Sequence, residues 1–222
     1  MSYAWDFSVL RPYSGLIGYG IAVTLLFTVA TVAAGLIIGL AAGIVRSTMS
    51  RWVSAPVAIV VEAFRCTPLL VQIVWVYYAL PVLIGVEMSA VTACFLALSL
   101  YAAAFYAEIF RGGIDAVDRG QWEAARALGM RQARIFRRIV LPQAIRIMIP
   151  AFINQTVLQL KNTSLVSTVA VGDLLYQGSV ITAATYRPLE IYTAVAGLYF
   201  AMLYPLTVAA QHVEKKLGAH RS

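Results

Sequence analysis

EAARALGMRQARIFRRIVLP, residues 123–142, is a basic, polar stretch set between strongly hydrophobic segments. Its local chemistry predicts a short helix with defined ends. Asp118 is a good N-cap for the run RGQWEAARALG, and Glu123 lies early enough to favour the positive end of the helix dipole. Ala124 and Ala125 are small, so a partner surface can come close to the helix. Gly129 is suited to the left-handed conformation that stops it. Pro142 then reads as the first residue of a following helix, where its missing N–H costs little.

The surroundings of this stretch set the class. Of 222 residues, 61% are hydrophobic and only 12% charged, and the mean hydropathy is +0.79. Soluble domains carry about 25% charged residues, so the chain reads as an all-α integral membrane protein. The net charge of +7 does not point to nucleic acid, because the cations crowd into a few loops. Cys66 and Cys94 fall in or beside apolar segments without metal-ligand spacing, and both read as small buried hydrophobes. No metal site is expected. The start, MSYAWDFSVL, lacks the basic region of a cleaved signal peptide, and Trp5 and Phe7 mark residues 1–19 as an interfacial segment.

Four apolar stretches, roughly 20–45, 66–86, 88–110 and 190–211, approach the ~20 residues that a ~30 Å hydrocarbon core requires. A fifth, roughly 143–161, is interrupted by Arg146, Pro150, Asn154, Gln155 and Gln159. That pattern suits a helix facing other helices and a polar pathway. Arg46 and Arg51 follow the first stretch, residues 111–146 hold eight arginines, and the tail 212–222 carries Lys215, Lys216 and Arg221. Cytoplasmic loops are enriched in such cations, which predicts an outside N-terminus, an inside C-terminus and an odd number of crossings. Five crossings within residues 20–211 follow, with 162–189 as an outer, non-spanning excursion. Trp75, Tyr77 and Tyr78 read as part of an interfacial aromatic belt.

The fixed positions of residues 123–142 fit the pattern EAA-x3-G-x9-I-x-LP. This resembles the cytoplasmic coupling loop in permease subunits of bacterial ATP-binding cassette importers. FRCTPLLVQ (64–72), LKNTSLVS (160–167) and EIFRGGIDAVDRGQWEAARALG (108–129) resemble the branch that imports polar amino acids, of histidine, glutamate, glutamine, arginine or opine type. The resemblance covers roughly residues 20–210. It implies a type I importer permease fold in the bacterial inner membrane, with Glu123, Ala124, Ala125, Leu128 and Gly129 coupling to an ATPase. It also implies two ATPase subunits, a second permease subunit that is identical or homologous, and an extracytoplasmic solute-binding protein. ATP would bind those partners. The chain contains no GxxxxGKS/T phosphate loop, so no cofactor and no catalysis of its own are expected.

Candidate pathway residues come from two places. Thr67-Pro68 reads as a break near the second span, with Gln72 some ~6 Å deeper along the helix. Lys161, followed by Asn162, Thr163 and Ser164, reads as a second break. A lysine at bilayer depth costs at least ~2.5 kcal/mol and faces a partner or a wet cavity, here a substrate carboxylate. The alternative for Lys161 is an interfacial anchor whose ammonium reaches the headgroups. Against the branch pattern, Cys66 replaces a glycine, which is expected to crowd the turn, and Asn162 replaces an aspartate. Glu62 with Arg65 and Glu108 with Arg111 have the spacing of same-face ion pairs, and Thr24, Thr28 and Thr31 suit helix packing.

The readings from other classes are an ion-driven carrier or small channel and a structural anchor for an ATPase. Carriers commonly show internal repeats, and no convincing repeat relates the halves of this chain. The charge-derived topology has a direct test. Cysteines introduced near residues 85 and 185 are expected to react with an impermeant label from the outer face, while those near 130 and 218 do not. Labelling near 218 from outside overturns the assignment.

Overall fold

The computed structural model describes residues 3–218, which are helical, with no strand among the described residues. A 3-10 turn (Phe7–Tyr13) leads into α1 (Ser14–Thr48), followed by α2 (Arg51–Cys66). Next come α3 (Leu69–Val74), a π-turn (Trp75–Ala79) and α4 (Leu80–Ile84), continuous with one another, and then α5 (Ala90–Asp115). The short α6 (Arg119–Ala127) precedes a second continuous run: α7 (Gln132–Ile135), a π-turn (Phe136–Val140) and α8 (Leu141–Asn162). A 3-10 turn (Thr163–Val169), α9 (Leu174–Thr185) and α10 (Pro188–Gly218) complete the order.

Three stretches are long and apolar enough to cross a membrane by themselves: Phe7–Thr48, Ala90–Asp115 and Pro188–Val213. The pair α2 with 69–84, and the pair 132–169 with α9, raise the number to five if each bent pair is one span. At ~1.5 Å per residue, α9 is only ~18 Å long and cannot cross alone. The second expected span begins at Leu69 instead of 66, because Thr67 and Pro68 are extended, with ψ of 140° and 133°. The segment after α1, Arg51–Cys66, is a helix of its own, which the hydropathy pattern did not anticipate.

Both π-turns end two residues before a proline, at Pro81 and at Pro142. Leu80 donates its N–H to Trp75 O, and Leu141 to Phe136 O, each five residues back. A proline ring inside an α-helix has no N–H and collides with the carbonyl four residues earlier. The wider turn moves that carbonyl aside and lets the helix continue. Pro142 therefore does not open a new helix as its sequence context suggested. It sits inside one that starts at Gln132.

The described chain divides into two compact units, to each of which α1, α5, α8 and α10 contribute a segment. The first contains the chain up to Val32, Pro68–Ser99 and Val157–Leu206. Its core is Leu174, Ile181, Ile191 and Val195, packed by Ile17, Ile21, Leu198 and Tyr199. Gly20 lets α1 meet the start of α9: a Cβ there would lie 2.8 Å from Leu174 Cα. Thr24 Oγ1 accepts the Leu174 N–H at 3.1 Å, while Asp173 caps α9 by accepting from Tyr176 N at 2.9 Å. Gln159 joins three helices, donating from Nε2 to Thr31 Oγ1 at 3.0 Å and to Leu98 O at 3.1 Å. The expected packing role is what these bonds describe for Thr24 and Thr31, while Thr28 donates to Thr24 O within its own helix at 2.8 Å. All three hydroxyls are buried.

Glu190 is fully buried and holds the N-terminal segment. Tyr3 donates its hydroxyl at 2.6 Å, the Asp6 amide donates at 3.2 Å and Arg187 pairs at 2.9 Å. Nearby, the Ser8 hydroxyl and amide both donate to Asp6, which holds that carboxyl below the usual carboxylate range.

The second unit contains Ala33–Thr67, Leu100–Thr156 and the chain from Thr207. Here α1 and α5 touch along matched four-residue rows. A Cβ on Gly35, Gly39 or Gly43 would lie 2.7 Å from the Cβ of Ala102, Tyr106 or Phe110 respectively. Without a hydrophobic drive between helices in lipid, such small residues permit the close van der Waals contact that holds them. The inner side of α2, Val57, Val61 and Phe64, packs on Ala104 and Ala107.

Ion pairs tie the ends of these helices. Glu108 accepts from Arg46 at 2.8 Å and from Arg111, Arg65 lies 3.9 Å away, and Glu62 pairs with Arg65 at 2.7 Å. The two pairs expected from spacing are present. Arg46 is the partner that spacing could not identify, 62 residues from Glu108.

The glycine row makes a quantitative prediction. Gly39→Val overpacks against Tyr106 Cβ and Ala103 O, and is expected to destabilise the protein by about 1–3 kcal/mol. Gly15→Ala, whose Cβ meets nothing within 4 Å, is the control. Thermal unfolding in detergent should show a lowered midpoint for Gly39→Val and none for Gly15→Ala.

Candidate functional site

The α6 helix is built as its sequence predicts. Asp118 Oδ1 accepts the Gly120 N–H at 2.6 Å, closing the N-terminus. At the other end Gly129 is left-handed, with φ of +71°. Gly129 N donates to Arg126 O at 2.9 Å and Met130 N to Ala125 O at 3.1 Å. These paired bonds form a Schellman motif, which satisfies carbonyls that the helix end would leave open. A Cβ at Gly129 would meet no atom within 4 Å, so the glycine is required by its conformation and not by crowding.

The two alanines face opposite ways. Ala125 is 2% exposed, inside a cluster with Ile114, Ile135, Val140 and Met148. Trp122 and Met130 pack against the same cluster. Ala125 thus seats α6 on its own unit, and its small size serves that contact and not an approaching partner. Glu123, Ala124 and Ala127 lie outside, and Leu128 projects with 82% of its surface exposed. Arg126, Arg131, Arg134, Arg137 and Arg138 are exposed as well. The result is a firmly seated helix that presents one large apolar side chain, beside two alanines, within a strongly cationic surface.

The candidate pathway residues are distributed differently from expectation. Gln72 is buried on α3, which packs against the 3-10 turn Thr163–Val169 of the same unit. Lys161 is exposed and has no ion pair among the described residues. Asn162 ends α8 with helical backbone, and the chain only tightens from α to 3-10 there. Lys161–Ser164 is therefore no break. The hydroxyls of Thr163 and Ser164 donate to Leu160 O and Lys161 O, at 2.7 and 2.8 Å, each three residues back. Thr67, which belongs to the other unit, is exposed and donates to Ala63 O at 2.8 Å.

Cys66 also departs from expectation. It is the last residue of α2, exposed, with its thiol 4.0 Å from Glu62 Oε2, and it crowds no turn. Cys94 is buried as expected. Three buried polar groups that sequence reasoning did not place are Asp173, Gln159 and Glu190. Asp173 and Glu190 also have local partners, Tyr176 and Arg187, but the partners that tie them and Gln159 to other segments lie between 26 and 187 residues away, where local spacing held no signal.

Residues 35–218 match the family described as binding-protein-dependent transport system inner membrane component. The chain belongs to this family. It is a multi-pass membrane transport component and not an enzyme. The octopine transport system permease protein of Rhizobium meliloti is 39% identical over 191 residues, 82% of this chain and 78% of that protein. The glutamine transport system permease protein of Escherichia coli (strain K12) is 35% identical over 215 residues, 96% and 98% of the two chains. A crystal structure of an amino acid ABC transporter with histidines superposes with a TM-score of 0.91 at 34% identity, covering 96% of this chain and 100% of that one. The type I importer permease fold expected from the sequence is the fold that this family member has.

Proposed function

We propose that the chain is the permease subunit of an ATP-binding cassette importer for a polar amino acid or amino-acid-like solute in a bacterial inner membrane. The seated α6 helix, with Leu128 projecting, carries this reading. A rigid helix that is anchored by Ala125 and capped at both ends transmits a push from a partner into the spans it is packed on. Glu123, Ala124, Leu128 and Gly129 form its outward side, and an ATPase subunit with a groove of matching shape is the partner. Two ATPases, a second permease and a solute-binding protein complete the assembly. The similarity to the octopine and glutamine permeases supports the solute class, and the family description supports the binding protein and the inner membrane.

Within the first unit, solute would pass beside Gln72, Lys161, Asn162 and Ser164, and Thr67, in the second unit, is a separate candidate. Exposure of Lys161 without a carboxylate partner among the described residues supports a role toward an external one. The ion-driven carrier has no observation in its favour.

Two tests separate the parts of this reading. In vesicles holding the assembled transporter, Glu123→Lys or Leu128→Arg is expected to abolish solute-stimulated ATP hydrolysis while the subunit stays inserted. Undiminished stimulation in both variants overturns the coupling role of α6. For the solute path, Lys161→Met is expected to lose uptake of carboxylate-bearing solutes, and Asn162→Asp to shift preference toward basic ones, with the binding protein held constant. Unchanged uptake in both makes Lys161 an interfacial anchor.

A further inference from the structure

The cluster that seats α6 draws on α5, α7, the π-turn after it and α8, and among the described residues it holds none from α1 or α2. A push on α6 therefore enters α5 directly and reaches α1 and α2 only through a further contact. Two kinds of contact join those helices to α5 in the second unit. The glycine row of α1 and the Val57, Val61 and Phe64 side of α2 lie against α5. Such van der Waals contact sets how near the helices come, but each atom pair contributes little and without direction. Charge-assisted hydrogen bonds fix both distance and angle. Among the described residues, every ion pair that crosses from α5 to α1 or α2 is made by one side chain, Glu108.

The two oxygens of that carboxylate are divided between helices. Oε1 is held from within α5, where Arg111 donates to it from Nε at 3.0 Å. Arg111 pairs in turn with Asp115 at 2.6 Å, and three residues beyond Asp115 stands Asp118, the cap of α6. Oε2 is turned toward the other helices. It accepts from Arg46 Nη1 of α1 at 2.8 Å and lies 3.9 Å from Arg65 Nη1 of α2. Arg65 is steadied by Glu62 at 2.7 Å and by the Phe105 ring, whose centroid is 5.8 Å from the guanidinium carbon. Only 11% of the Arg46 side chain and 22% of the Glu108 side chain are exposed, so little water competes for the bond between them.

We propose that Glu108 is a positioning residue that makes α1 and α2 follow α5 when a partner ATPase moves α6, so that hydrolysis becomes movement of the spans. This rests on the reading of α6 as the coupling helix. From the cap of α6, the line Asp115, Arg111, Glu108, Arg46 leads through charge-assisted bonds to the end of α1. Because α1 is a single helix of 35 residues, a displacement of its Arg46 end is carried along it. A pair that merely held the fold could be replaced by apolar side chains of similar volume at little cost. A pair that fixes direction could not, and that difference supplies the test.

In vesicles holding the assembled transporter, the quantity to measure is solute taken up per ATP hydrolysed. Arg46→Met combined with Glu108→Met removes both charges of the pair, while Arg65 and Arg111 keep Glu62 and Asp115. This double variant is expected to retain solute-stimulated hydrolysis and to lower the ratio at least about five-fold, the low end of ordinary coupling between two sites. Glu108→Asp keeps the charge and withdraws it from Arg46 by one methylene, and it is expected to lower the ratio in the same direction. If the double variant fails to insert, Glu108→Asp decides alone. Glu87→Gln, at an exposed acid with no ion pair among the described residues, is the control and should leave the ratio unchanged. An unchanged ratio in an inserted double variant or in Glu108→Asp overturns the inference. So does a loss of stimulated hydrolysis in step with uptake, which makes Glu108 part of the seat of α6, or an equal fall in Glu87→Gln. Failure of the importer reading shows differently, as no ATP-dependent uptake by the unaltered chain, and takes the inference with it.

Discussion

Inside a bilayer no water is present to receive a free N–H or C=O, so each spanning segment must satisfy its backbone internally. The same need to satisfy the backbone shapes several irregular points of the fold. Pro81 and Pro142 would each leave a gap in an α-helix, and in both cases a π-turn just upstream absorbs it with an i to i−5 bond. The run from Lys161 to Ser164, which looks like a break in sequence, is instead a helix narrowing from α to 3-10. Its hydroxyls return to carbonyls three residues back. The extended pair Thr67-Pro68 is the exception, and there Thr67 donates back to Ala63 O.

The same scarcity of water makes side-chain polarity a joining force. Gln159 holds Thr31 and the Leu98 carbonyl, Thr24 holds the amide of Leu174, and Glu190 holds Tyr3, Asp6 and Arg187. Each is a buried polar group with at least one partner on another helix or in the N-terminal segment. Where no such group is present, close packing takes over, as along Gly35, Gly39 and Gly43 against α5. In the second unit Glu108 gathers Arg46, Arg65 and Arg111. Breaking one partner of such a cluster leaves charge without compensation, which costs more than the pair itself contributes.

The proposed coupling site lies where this frame is stiff. The α6 helix has both ends closed and one side buried, so its exposed side moves only with the unit beneath it. That is the property a mechanical link between an ATPase and a set of spans requires. Ala125 secures the seat, and Leu128 is the side chain proposed to make the contact. The conformation of Gly129 lets the chain turn back at once into α7.

The amino-acid sequence by itself determined the class, the type of element and the caps of α6. Hydropathy, arginine placement, Asp118 and Gly129 act within one turn or one segment, and local chemistry is sufficient for them. It also determined the pairs Glu62–Arg65 and Glu108–Arg111, because three-residue spacing places them on one helix face. Only the tertiary structure decided which of two adjacent alanines is buried, that Cys66 is exposed and that α2 is a separate helix. It alone paired Arg46 with Glu108 and Gln159 with Thr31, partners 62 and 128 residues apart. The reason is physical: burial and long-range hydrogen bonding depend on what packs alongside a residue, and in a helical membrane protein that neighbour comes from a distant part of the chain.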